Sequence, residues 1–197
     1  MKIKQVIIMM VVVVAIFAFG THSYTEYVME KNTINNIVKS SQEDVKRLQM
    51  VREYYTKFVV GDVKKNTKEI GFSFDHKANN VLPFPTTVIH DLTKMYSSRS
   101  DVKIELYSEY PFLNRKNRVL TPFQKEAIAM VEKNDDGVYY KKDVINGKKV
   151  LRVAVADYML LPACVNCHNS HKLKNWPDNK WKLGDKRGIL EIITPIK

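Results

Sequence analysis

The chain has 197 residues, a hydrophobic share of 45% and a formal charge of +11, from 32 Lys and Arg against 21 Asp and Glu. Less an apolar N-terminus, that length fits one domain with a real core, and no internal repeat or low-complexity stretch argues for an array or a tail. The basic excess is densest from His171 to Arg187; such a run reads as a solvated face beside an anionic membrane, or as a docking face for an acidic partner.

The first element is a basic start, Lys2 and Lys4, followed by an uncharged run from Val6 to Gly20. The run is longer than many signal-peptide cores and short of the ~20 residues of a full span. Ala18 and Gly20 suit a cleavage site; against cleavage, Tyr24 and Tyr27 suit a membrane interface. The sequence favours an uncleaved signal-anchor over residues 1–27 and a domain over 28–197. The positive-inside rule then places the domain outside the cytoplasm. The expected location is the inner membrane on its periplasmic side, or the soluble periplasm if the signal is removed.

Ile34, Val38, Ser41, Val45, Leu48, Arg52, Tyr55 and Val59 recur at helical steps, which predicts a long amphipathic helix. Phe72 to His76 alternates as a strand and points His76 inward. Pro83 and Pro85 break the chain, and Thr86 to Tyr96 follows as a helix with Val88, Leu92 and Met95 on its apolar face. Val102 to Ser108 reads as a strand and Tyr110 to Arg115 as a loop. Thr121-Pro122-Phe123-Gln124 is a capping box opening a helix. Asp135-Asp136-Gly137 is a turn, and Asn146-Gly147 is a hairpin turn between two strands. Ile189 to Ile193 is a last strand. Helices followed by a largely antiparallel sheet make an α+β domain.

Both cysteines of the chain lie in Cys164-Val165-Asn166-Cys167-His168. This is the spacing that attaches c-type haem: two thiols bond the porphyrin vinyls and the adjacent imidazole ligates the iron. A zinc site would need two further ligands, and His171 alone does not supply them. A redox dithiol usually follows the first strand of a βαβ unit, and this pair lies near the C-terminus. A structural disulfide across so tight a loop would be strained. An export segment agrees with the motif, because covalent attachment takes place outside the cytoplasm. Cys164, Cys167 and His168 are therefore the expected attachment residues of one covalent haem, and nucleic acid is not an expected partner.

His168 fills one axial position of the iron. No methionine follows Met159, and His171 lies on the same side of the porphyrin as His168. The sixth ligand thus comes from upstream, or the site is open. His76 is the first choice, with His90 expected to face solvent, Met95 and Met159 expected in the core and His22 too near the membrane segment. Arg115, Arg118, Arg152 and Arg187 are candidates for the haem carboxylates, and Trp176 and Trp181 for the porphyrin edge.

Val153 to Met159, Ala163 to Asn169 and Trp181 to Glu191 resemble the Tll-type c-haem domain family. Arg52-Glu53-Tyr54-Tyr55, Leu82 to Thr87 and Leu106 to Arg115 are similar to it as well, so the likeness runs over about residues 45 to 195. The resemblance implies a PAS-like antiparallel sheet with flanking helices around one covalent haem, and a redox or gas sensor-like domain. It carries over Cys164, Cys167 and His168 but no distal ligand. Two departures stand out: the spacer from His168 to Trp181 is about two residues longer than expected, and Lys186 stands where valine is expected. The functional expectation is a membrane-anchored haem sensor domain, not an enzyme, with a redox or signalling protein partner and a small gas as candidate ligand. A monohaem electron carrier is the alternative.

Overall fold

The computed structural model describes residues 3–67, 69–79 and 81–196. The chain divides into two units, Met1–Lys39 and Ser40–Lys197. The first is helical from the start of α1 (Ile3–Tyr54), and its large apolar side chains from Ile7 to Phe19 are exposed. Among the described residues one helix is long and apolar enough to cross a membrane.

The second unit takes up the last turns of α1, a π-helical turn at Tyr55–Val60 and α2 (Gly61–Asn66). Ser41, Val45, Arg52, Thr56 and Val60 are buried. The helical stripe read from the sequence holds as far as Arg52. The π-turn, closed by the Gly61 N–H on the Thr56 carbonyl, then shifts the phase, and Thr56 and Val60 are buried where Tyr55 and Val59 were expected.

The next stretch corrects the expected strand at 72–76. Only β1 (Phe72–Ser73) is extended, paired in parallel with β2 (Leu82–Pro83). Ser73 Oγ accepts the Asp75 N–H at 3.0 Å and turns the chain, so His76 opens the short helix α3 (His76–Asn79). Pro85 at the first position starts α4 (Pro85–Arg99). Its buried residues are Thr87, Ile89 and Thr93, whereas Leu92 and Met95 are exposed. The helix therefore presents a different face from the apolar one expected.

The main sheet holds β3 (Lys103–Tyr107), β4 (Val138–Ile145), β5 (Lys148–Tyr158) and β6 (Lys186–Pro195), all antiparallel in the order β3-β6-β5-β4. This is the PAS-like α+β architecture expected. Asn146 and Gly147 both take positive φ, 50° and 76°, as a two-residue hairpin turn between β4 and β5 requires. Before β4, α5 (Pro122–Lys133) carries the expected capping box, with the Gln124 N–H on Thr121 Oγ1 at 3.2 Å and the Thr121 N–H on Gln124 Oε1 at 3.1 Å.

Central strand β5 is buried from Val150 to Asp157, because both of its faces are covered. One face packs Ala154 and Ala156 with Ile189, Tyr107 and the α5 residues Phe123, Ala127 and Val131. Strand alternation sends Val153, Val155 and Asp157 to the other face. There Arg52 of α1 meets Asp157 in two bonds of 2.6 Å, and α4 lies against β3. The candidate site is on this second face.

Candidate functional site

The motif sits on α6 (Pro162–Ser170), which Pro162 opens after Leu161 in extended backbone. Helical spacing puts Cys164 on one face with Cys167 and His168, three and four residues on. All three line one cavity of about 1340 Å³, counting its mouth. Further lining comes from Thr56 and Val60 of the π-turn, from Phe74, Phe84 and Phe112, and from His90. An aromatic wall with a few polar groups is the usual lining of a cofactor pocket.

Burial raises the Cys164 thiol, with Arg52 acting against it, and likewise raises Cys167, with Lys64 acting against it. Both thiols are free and protonated at neutral pH. His168 is pushed down to about 3 by burial, and further by the charges of Arg187, Arg52 and His171. It is therefore a neutral imidazole at physiological pH, the form that ligates metals.

The ring of His168 is held on several sides. It lies near-parallel to Trp176 at 6.2 Å and tilted to Phe112 at 5.0 Å. Trp176 Nε1 donates to the His168 carbonyl at 3.0 Å, and Arg187 Nε donates to His168 Nδ1 at 3.0 Å. With Nδ1 accepting, the neutral ring carries its proton on Nε2. Ligation through Nε2 requires that proton to leave, or Arg187 to turn away from Nδ1. Arg187 is itself fixed by Ser108 Oγ and by the Tyr110 carbonyl at 2.6 Å, and it lies 4.8 and 4.7 Å from the rings of Trp176 and Trp181.

The loop from α6 to β6 is clamped by Asn169, whose side chain gives Nδ2 to the Trp181 carbonyl at 2.9 Å and accepts the Trp181 N–H at 3.0 Å. Lys186, the residue that departs from the expected pattern, caps α5: its Nζ reaches the carbonyls of Val131, Glu132 and Asn134.

His76 and His90 are placed differently from expectation. His76 does not line the cavity; its Nε2 lies 3.5 Å from Asp91. His90 does line it, with Nε2 hydrogen-bonded to Arg115 Nη1, and it is pushed down to about 3 by burial and the nearby Arg115 and Arg118. His171 also lines it, its ring edge-on to Phe74, Phe84 and Phe112 and its Nδ1 accepting the Leu173 N–H at 3.1 Å. Met159 is buried with Trp176 and Trp181. Of the four candidate arginines, Arg115, Arg118 and Arg187 line the cavity and Arg152 does not, being bound to Glu191 at 2.7 Å and Asp143 at 3.0 Å.

The family model for Tll0287-like proteins matches residues 24–195. The chain belongs to the Tll0287-like family. Among solved structures, the crystal structure of the cyanobacterial haem protein Tll0287 matches with a TM-score of 0.52 at 12% identity, over 82% of this chain and 96% of that one. That likeness shows a shared fold. No curated protein matches the chain. For this Tll0287-like domain the donor set suits a covalently held haem: two thiols and one neutral imidazole on one helical face, in an aromatic cavity. Among the described residues no cluster of three or more His, Cys, Asp or Glu side chains suits a bare metal ion.

Proposed function

We propose that the protein is a membrane-anchored haem sensor domain facing the periplasm, with one c-type haem bonded through Cys164 and Cys167 and ligated by His168. The observation that carries this reading is the convergence of those three side chains on one face of α6 at the wall of a large aromatic cavity. Membership of a family whose solved relative, Tll0287, is a haem protein supports it. The group would supply a ligand-binding or redox-active iron. The chain's own residues would hold the proximal ring between Trp176, Phe112 and Arg187, and would line the iron's surroundings with Phe74, Phe84 and Phe112.

A sensing role is favoured over simple electron transfer by the state of the remaining cavity imidazoles. His90 Nε2 is engaged by Arg115 and His171 Nδ1 by a backbone N–H, while Met159, at the cavity wall, packs with Trp176 and Trp181. This arrangement supports a distal side left to a small gas or to a weak ligand. The role is one of binding and signalling to a protein partner, without catalytic turnover. A second reading, a monohaem electron carrier, draws support from the exposed lysines Lys172 and Lys182 in the loop after the motif, which suit an acidic redox partner.

The test is expression of the full chain with a cytochrome-maturation pathway, then denaturation. Pigment that stays with the polypeptide at one haem per chain, and is lost in C164A/C167A, is the expected result; pigment that partitions into acidified organic solvent overturns it. Ready binding of carbon monoxide or nitric oxide by the reduced protein supports sensing. A spectrum indifferent to both supports electron transfer.

A further inference from the structure

The cavity wall contains two guanidinium groups with an incomplete set of counter-charges. Arg115 is hydrogen-bonded to His90, which is neutral, and Asp91 acts on it only at a distance. Arg118 donates to the Leu106 carbonyl at 2.5 Å and reaches Glu105 Oε2 at 3.5 Å. That carboxylate is already shared with Gln124 Nε2 at 2.8 Å. The neighbouring Arg118 charge, after burial, lowers the affinity of Arg115 for its proton. Two like charges in one wall, with Asp91 at a distance from one and a shared Glu105 at 3.5 Å from the other, are destabilising until an anion joins them.

The donors of Arg52, Arg152 and Arg187 already have partners. Arg52 is paired with Asp157, and Arg152 with Glu191 and Asp143. Arg187 has each of its three nitrogens on a neutral partner, His168, Ser108 or Tyr110. Arg115 and Arg118 are thus the cavity-lining arginines with donors still to be matched, and guanidinium donors match carboxylates in forked pairs.

A haem would supply two carboxylates. A porphyrin bonded to protein through its two vinyl groups presents its two carboxylates on the opposite edge. Arg115, Arg118 and His90 line the same cavity as Cys164, Cys167 and His168. We infer that Arg115 and Arg118 form a carboxylate clamp in the wall of the cavity that Cys164 and Cys167 also line, with His90 as the positioning residue that holds Arg115. This rests on the haem reading above.

The test uses the haem-loaded full chain and two readouts, the midpoint potential and the resonance Raman bending mode of the haem carboxylates. R115Q and R118Q each leave a carboxylate less compensated and stabilise ferric iron. In R115Q/R118Q the ferric-to-ferrous balance moves on the order of tenfold, ~59 mV more negative for a one-electron couple, and the carboxylate mode shifts. R115K, which keeps the charge, moves the potential less than R115Q. K116Q removes an exposed charge from the same loop and moves neither readout. H90Q gives part of the R115Q shift, and nothing more when added to R115Q.

A double variant with covalent pigment and unchanged potential and Raman mode overturns the clamp while leaving the haem reading intact. If the double variant fails to load, the single variants carry the same test. A colourless wild-type chain fails the haem reading itself. Inorganic phosphate titrated at constant ionic strength is expected to leave the wild-type potential unchanged; a shift that disappears in R115Q/R118Q assigns the site to a free anion and overturns the haem-carboxylate occupant.

Discussion

Breaking the Arg52–Asp157 pair should cost more than any surface substitution in this chain. Both side chains are under a tenth exposed, at 9% and 7%, and they meet in two parallel bonds of 2.6 Å. Burial alone would lower the Arg52 pKa, but the Asp157 charge and hydrogen bonds raise it overall. The pair ties the end of α1 to the last residues of β5, near Cys164. D157N removes the carboxylate charge and leaves a buried guanidinium without its partner. The expected loss is ~3–5 kcal/mol, the cost of an uncompensated buried charge. At ~2–4 °C per kcal/mol for a domain of this size, the melting temperature falls by on the order of 10 °C. Denaturant titration of the full chain in detergent measures this through the buried Trp176 and Trp181. R52M/D157L, which removes both charges, should recover most of the loss. A cost under about 1 kcal/mol for D157N, or strict additivity in the double variant, would refute the reasoning.

Other outcomes follow from the same geometry. His90 is neutral in the folded chain because burial, then Arg115 and Arg118, push it from 6.5 down to about 3. The unfolded chain therefore binds more protons between those values. The His90 contribution is complete above pH 6.5 and is lost as the pH falls toward 3, with a slope of up to ~1.4 kcal/mol per pH unit. H90Q flattens that acid limb in stability-versus-pH curves, and identical limbs would contradict the assignment. A Cβ at Gly188 would sit 2.8 Å from the Tyr107 carbonyl oxygen, so G188A costs ~1–3 kcal/mol by forcing β3 and β6 apart; a neutral result in denaturation would mean the strands give way freely. T121A removes the α5 cap for a loss of about 1 kcal/mol, and T121S should restore most of it.

What the sequence made legible was local, and it was legible because the physics was local. The capping box at Thr121 and Gln124 and the Asn146-Gly147 turn each act within four residues, and each stands as read. The motif is of this kind too: three side chains on one helical face need only the spacing 164, 167, 168. The face of α4 was misread because periodicity weighs apolar residues, while the face this helix buries carries Thr87 and Thr93 beside Ile89. Thr86 and His90, four residues apart on one face and both lining the cavity, were a usable signal of that polar side. His76 was misplaced for a similar reason. Alternation at Phe72 and Phe74 suggested a strand, but one hydroxyl, Ser73 Oγ, turned the chain before His76.

The arginines show where reading by pattern ends. Arg52, Arg115, Arg118, Arg152 and Arg187 are the same side chain in the sequence, and nothing within a few residues of each tells them apart. Their partners do. Arg52 meets an aspartate 105 positions away, Arg152 a glutamate 39 positions away and Arg187 a serine 79 positions away. Each of these pairings exists only because β5 and β6 lie side by side with α1 across one face and β3 along one edge. Once they are made, the guanidinium donors still to be matched in the cavity wall are those of Arg115 and Arg118, with Glu105 shared between Arg118 and Gln124 and Asp91 acting on Arg115 from a distance. A net charge of +11 says only that the chain is basic. It is the strand order that converts the excess into a localised demand for an anion, and the same strand order brings α6 with its thiols to the wall of that cavity.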